Sequence, residues 1–124
     1  MLKPMLIAKL RKALERMYDG VCVVTEHVSE RDPVTKKTSF VETVVLVGVP
    51  CKLTFGPAPA TEGDNVAAVV QETKLFLSPS INIKTGSKIT VTQNEVTTDY
   101  TNSSEPKVYA THQEITLKLF EGWA

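Results

Sequence analysis

The apolar positions of this chain change their spacing once, and that change divides it in two. Leu6, Ile7, Leu10, Leu14, Met17 and Tyr18 recur at helical intervals while Lys9, Lys12 and Arg16 fall on another face, which predicts an amphipathic helix over residues 4–18. Pro4 suits the first turn, where a missing N–H costs nothing, and Asp19-Gly20 suits the end. From Val21 onward β-branched residues and threonine dominate and apolar positions recur in twos, the texture of half-buried strands.

Turn chemistry punctuates these runs. Residues 21–28 form a first strand, and the polar stretch 29–39, with Asp32-Pro33 and Lys36-Lys37, reads as an exposed loop or the far tip of a hairpin whose partner strand is 40–49. Pro50 interrupts that strand before residues 51–55, which suggests a bulge or an edge because proline cannot donate to a ladder. The stretch 56–65 has no apolar alternation and should be irregular. Strands follow at 66–77, 88–92, 96–100 and 108–120, with turns at Ser78-Pro79-Ser80, at 84–87, at Gln93-Asn94-Glu95 and over 101–106. With no helices between strands to make crossovers, about seven short strands favour a small antiparallel β-barrel behind an N-terminal helix, a sandwich being the close alternative. The expected organisation is one mainly β domain over residues 1–124: helix 1–18, barrel 19–124, long loops at 29–39 and 56–65.

Size supports one core, since 124 residues with 42% hydrophobic content suffice for a single domain. The formal net charge of zero argues against a broad phosphate-neutralising surface, though a local patch is compatible with it. No apolar run is long enough for a spanning helix, and Lys9, Arg11 and Lys12 break the first one, so a protein without membrane contact, made in the cytosol, is expected. Cys22 and Cys51 lack metal-ligand spacing and read as small core side chains without a disulfide.

Candidate chemistry is sparse. His27 and His112 both fall in predicted strands without an acid, cysteine or second histidine at ligand spacing, and packing or solvation is the simpler account of each. Cys22, among valines that would raise its pKa, is a poor nucleophile. Lys84-Thr85-Gly86-Ser87-Lys88 lacks the glycine spacing of a phosphate loop and leads into a strand. Glu62 and Asp64 have no apolar pocket to separate their pKa values. No catalytic, cofactor or metal residue is assigned, and a non-enzymatic protein is expected. The helix is the exception to the neutral balance: Lys3, Lys9, Arg11, Lys12 and Arg16 stand against Glu15 alone. Lys9, Arg11, Lys12 and Arg16 form a candidate docking face for an acidic protein neighbour; a membrane-surface helix would carry Trp or Phe anchors.

In their order along the chain, Tyr18-Asp19-Gly20, residues 35–41, Pro50-Cys51-Lys52-Leu53, Thr73-Lys74-Leu75-Phe76, Lys88-Ile89-Thr90-Val91 and the run from His112-Gln113-Glu114-Ile115 to Trp123 resemble the head closure, or stopper, proteins of tailed phages and prophages of Gram-positive bacteria. The resemblance implies a small β-barrel assembled as a homo-oligomeric ring beneath the portal and its adaptor in the virion neck. A tail terminator or tail completion protein would lie on the other side, and a loop would project into the channel to retain packaged DNA by non-specific contact. On that basis Gly56, Pro57, Pro59, Glu62, Gly63, Asp64 and Asn65 are the candidate channel loop, their acids unable to grip a polyanion. Arg31, Lys36 and Lys37 in the 29–39 stretch compete for that role. Two alternatives remain: a tail terminator or completion ring, and an OB-type nucleic-acid module, which a 6% aromatic content disfavours.

Overall fold

The computed structural model describes residues 3–57, 71–102 and 104–123. One helix, α1 (Pro4–Glu15), precedes seven strands: β1 (Gly20–Arg31), β2 (Thr38–Pro57), β3 (Gln71–Leu77), β4 (Lys88–Gln93), β5 (Val96–Asn102), β6 (Lys107–Val108) and β7 (Gln113–Leu119). The protein is mainly β, with one antiparallel sheet in the order β3-β2-β1-β4-β5-β7-β6. A further antiparallel ladder joins β3 to β7, with Leu75 opposite Ile115, so the pairings run from β1 through β2, β3, β7, β5 and β4 back to β1.

Alternation sets the core. Cys22 and Val24 on β1, Leu75 and Leu77 on β3, Ile89 and Val91 on β4, and Ile115 and Leu117 on β7 all point inward, each at most 5% exposed. Each such aliphatic side chain contributes about 1.5–3 kcal/mol of burial. Asn94 and Glu95 both take positive φ, 53° and 65°, the geometry a two-residue hairpin needs between β4 and β5.

At the start of β1 a side chain replaces a missing strand. Gly20 lies between Gln93 of β4 and Cys51 of β2 in the ladder. Gln93 reaches past it to Leu53, accepting from the Leu53 N–H at 2.8 Å and donating to its carbonyl at 3.3 Å. A Cβ on Gly20 would meet the Gln93 Oε1 at 3.0 Å and the Cys51 carbonyl at 3.1 Å, so glycine here permits the crossing.

Several strand boundaries differ from the sequence reading. Pro50 does not interrupt β2, which runs unbroken from Thr38 to Pro57; exposed Pro50 sits just before the β2–β3 ladder begins at Cys51. The irregularities lie earlier. Cys22 pairs with Val49 and Val24 with Leu46, setting Val47 and Gly48 opposite Val23, and Val24 and Thr25 pair with Leu46 and Val44, leaving Val45 extra. Gly48, at φ +65°, accommodates the first of these bulges, which bend and twist the strand. The single run expected over 108–120 is broken by a turn in which the Tyr109 N–H donates to the His112 carbonyl, so His112 precedes β7 and is not in a strand.

Candidate assembly surface

Beyond the sheet, β1 and β2 continue as a two-stranded arm. β4 accompanies β1 only over residues 20–25, and β3 accompanies β2 only over 51–57. Residues 26–31 and 38–43 therefore pair with each other alone among the described residues, a projection of about 20 Å at ~3.4 Å per residue. The stretch 29–39, expected as an exposed loop or the far tip of a hairpin, is the tip of this arm: residues 29–31 and 38–39 are strand and the turn takes residues 32–37. There the Asp32 N–H donates to the Lys37 carbonyl and the Lys36 N–H to the Asp32 carbonyl. The Asp32 carboxylate accepts from the Val34 N–H at 2.8 Å and the Thr35 N–H at 3.4 Å, which holds its pKa below the usual carboxylate value. Arg31, Lys36 and Lys37 are exposed at this tip.

The arm has two unlike faces. Cross-strand pairing puts Glu26, Val28 and Glu30 with Thr43, Val41 and Ser39 on one, and His27, Ser29 and Arg31 with Glu42, Phe40 and Thr38 on the other. Residues 120–123, after β7, lie against the second. The Phe120 N–H still donates to the Asp99 carbonyl, and Gly122 at φ +118° carries the chain onward. The Trp123 indole then stacks on His27, with centroids 4.6 Å apart and planes 15° from parallel, and its N–H donates to a Glu42 carboxylate oxygen at 2.8 Å. Phe40 packs on His27 at 4.9 Å, Phe120 meets Trp123 edge-on at 5.0 Å, and the Lys88 ammonium lies over the Phe120 ring at 5.1 Å. Lys84 stands 3.8 Å from Glu26 across the mouth of the adjoining cleft.

Helix α1 is held loosely. None of its side chains is buried, and Ile7, Arg11, Leu14 and Glu15 are its half-covered positions. The Arg11 Nε–H donates to the Ala110 carbonyl at 2.8 Å, so Arg11 ties the helix to the sheet, whereas Lys9, Lys12 and Arg16 are exposed on the outer face. Leu6, Leu10 and Met17 form an exposed apolar stripe beside them. An apolar groove of about 450 Å³ runs between the end of the helix and the sheet, lined by Leu14, Met17, Tyr18, Phe76 and His112 among others. Burial first, and then Glu15, pushes the Tyr18 phenol up.

Of the candidate channel loop, Gly56 and Pro57 belong to β2, where they pair with Glu72 and Gln71; they are not part of an irregular loop. Pro59, Glu62, Gly63, Asp64 and Asn65 lie outside the described residues, as do residues 66–70 of the strand expected over 66–77. The two histidines are far from bare: His27 is part of the aromatic stack, and His112 lies against Tyr109 at 4.8 Å with its Nε2 3.8 Å from Glu114. Cys22 and Cys51 are buried free thiols hydrogen-bonded to each other. That bond, and then burial, pushes the Cys51 thiol up; the same bond draws Cys22 down, against the expectation from its valine neighbours. Among the described residues no three His, Cys, Asp or Glu side chains converge as a metal site, and no helix is long and apolar enough to cross a membrane.

The chain matches no protein-family model and no curated protein sequence. It does share a fold with a solved structure. That structure is the phage-like element PBSX protein xkdH of Bacillus subtilis, 15% identical, with a TM-score of 0.51 over 82% of this chain and 93% of the other. The sequence held no signal for the arm's contact with Trp123, because a stack between residues 27 and 123 leaves no periodicity behind.

Proposed function

We propose that this protein is a non-enzymatic structural subunit of the head-to-tail connector of a tailed phage, forming a ring below the portal and adaptor that closes the DNA channel and offers the tail its attachment surface. The observation that carries the reading is the fold shared with a phage-element protein over most of both chains. The circuit of strand pairings supports a small barrel as the body of such a subunit. Two surfaces stand outside this circuit: the arm of β1 and β2, which meets Trp123 at its base, and the outer face of α1 with Lys9, Lys12 and Arg16. A ring of identical subunits needs two different complementary faces, and an extended hairpin such as the arm is a candidate for one of them.

In this reading the β2–β3 connection, with Glu62 and Asp64, lines the channel, while the basic arm tip meets a neighbouring ring or DNA phosphates. The helix docks on an acidic connector protein. The protein resides in the virion neck, and in the host cytoplasm before assembly.

Electron microscopy of particles assembled with and without the protein tests this. Density in the neck, together with heads that leak DNA or fail to take tails when it is missing, supports the reading. Sound, DNA-filled heads with density at the tail end would overturn it in favour of a tail terminator ring.

A further inference from the structure

A two-stranded ribbon extending past its sheet is marginal in water, since each strand has one neighbour and no second layer. The arm of β1 and β2 is such a ribbon over residues 26–31 and 38–43, yet one of its faces carries an aromatic cover from elsewhere in the chain. Trp123 makes both of its arm contacts at the arm's base, stacking on His27 of β1 and donating to Glu42 of β2, residues that face each other in the ladder. One indole thus bridges the two strands.

The covering segment is itself lightly held. After Leu119 the ladder with β5 ends, and the Phe120 N–H to Asp99 carbonyl bond is the last backbone tie among the described residues. Beyond it, Phe120 and Trp123 are positioned by side-chain contacts with each other, with Lys88 and with the arm.

We propose that residues 120–123 are a releasable strap that steadies the arm, so that a partner's contact with this segment and the order of the arm tip are coupled. The coupling runs both ways by linkage: whatever holds the arm in its extended form also holds Trp123 on His27. Its use in assembly rests on the connector reading above, where it would let docking beside β7 set the arm. The coupling itself belongs to the free protein.

The test is made on the isolated full chain, comparing wild type with Trp123→Ala, Trp123→Phe and His27→Ala. Amide exchange over residues 26–31 and 38–43 should quicken roughly ten-fold in Trp123→Ala, the weight of one aromatic stack and one hydrogen bond. Core amides at Leu75 and Ile115 should be unmoved, and Trp123→Phe should fall between because it keeps a ring but loses the N–H. Trypsin cleavage at Arg31, Lys36 and Lys37 should rise in the same order. Because the chain has a single tryptophan, its emission reports the strap directly and should shift toward that of solvated indole in His27→Ala. Arm exchange unchanged in Trp123→Ala, with core amides intact, would overturn the coupling whether or not the protein is later found in a phage neck.

Discussion

Adding one methyl group at Gly20 should cost stability through a residue on a different strand. The new Cβ would stand 3.0 Å from the Gln93 Oε1 and 3.1 Å from the Cys51 carbonyl, closer than ordinary carbon–oxygen contact. Either the strands shift, at an overpacking cost of about 1–3 kcal/mol, or Gln93 withdraws. Withdrawal strips the Leu53 N–H and carbonyl of their partner at a site 8% exposed, a loss of about 1–3 kcal/mol for a poorly hydrated polar group. Set against the roughly 0.5–1 kcal/mol that alanine gains over glycine within a strand, Gly20→Ala should destabilise by about 1–2 kcal/mol. Urea denaturation of Gly20→Ala, Gln93→Ala and the double variant measures this as a cycle. If Gln93 transmits the strain, Gly20→Ala should cost about 1 kcal/mol less once Gln93 is alanine, because the nearest obstruction is gone. Equal costs in the two backgrounds, within ~0.5 kcal/mol, would refute the crossing as the reason for glycine.

Three further outcomes follow from the core and the arm. Leu75→Ala removes a fully buried side chain at the β3–β7 closure and should lose about 2–5 kcal/mol in denaturant melts, whereas Val34→Ala at the arm tip should be within ~0.5 kcal/mol of wild type. Gln113, 1% exposed, donates through its Nε2 to the Ser78 and Ile81 carbonyls, so Gln113→Leu should cost about 1–3 kcal/mol; a neutral result would show that water serves these carbonyls as well. Asp32 is held below its ordinary pKa by the Val34 and then the Thr35 N–H, so its contribution to tip order is complete above the pKa of an unfolded aspartate and is lost as pH falls through the lower folded value. The Val34 and Thr35 amide proton resonances should titrate with a midpoint below that of a free aspartate and stop titrating in Asp32→Asn; a midpoint at or above the free value counts against the turn.

What the order of residues determined by itself was local. The helical spacing of Leu6, Leu10 and Leu14, the two-residue alternation of Ile115 and Leu117, and the turn at Asn94-Glu95 each arise from neighbours in the chain, so each could be read before any fold was known. The tip chemistry of Asp32-Pro33 was equally legible, but the strand length on either side was not. Polar residues such as Ser29, Glu30 and Ser39 read as loop, and they hold a strand because both faces of an arm outside the core are solvated or lightly covered.

Only the tertiary structure decided which strands meet. The β3–β7 ladder joins Leu75 to Ile115, Gln93 takes Leu53 as a substitute strand partner, and Arg11 fixes α1 through the Ala110 carbonyl, contacts spanning tens of residues that no local periodicity encodes. The same holds for Trp123 on His27, which turned an isolated histidine into part of an aromatic stack. Alternation reports that one face of a strand is buried, because that preference is paid residue by residue against water. The choice of partner depends on how all the buried faces close around one core, and that is settled only when the chain is folded as a whole.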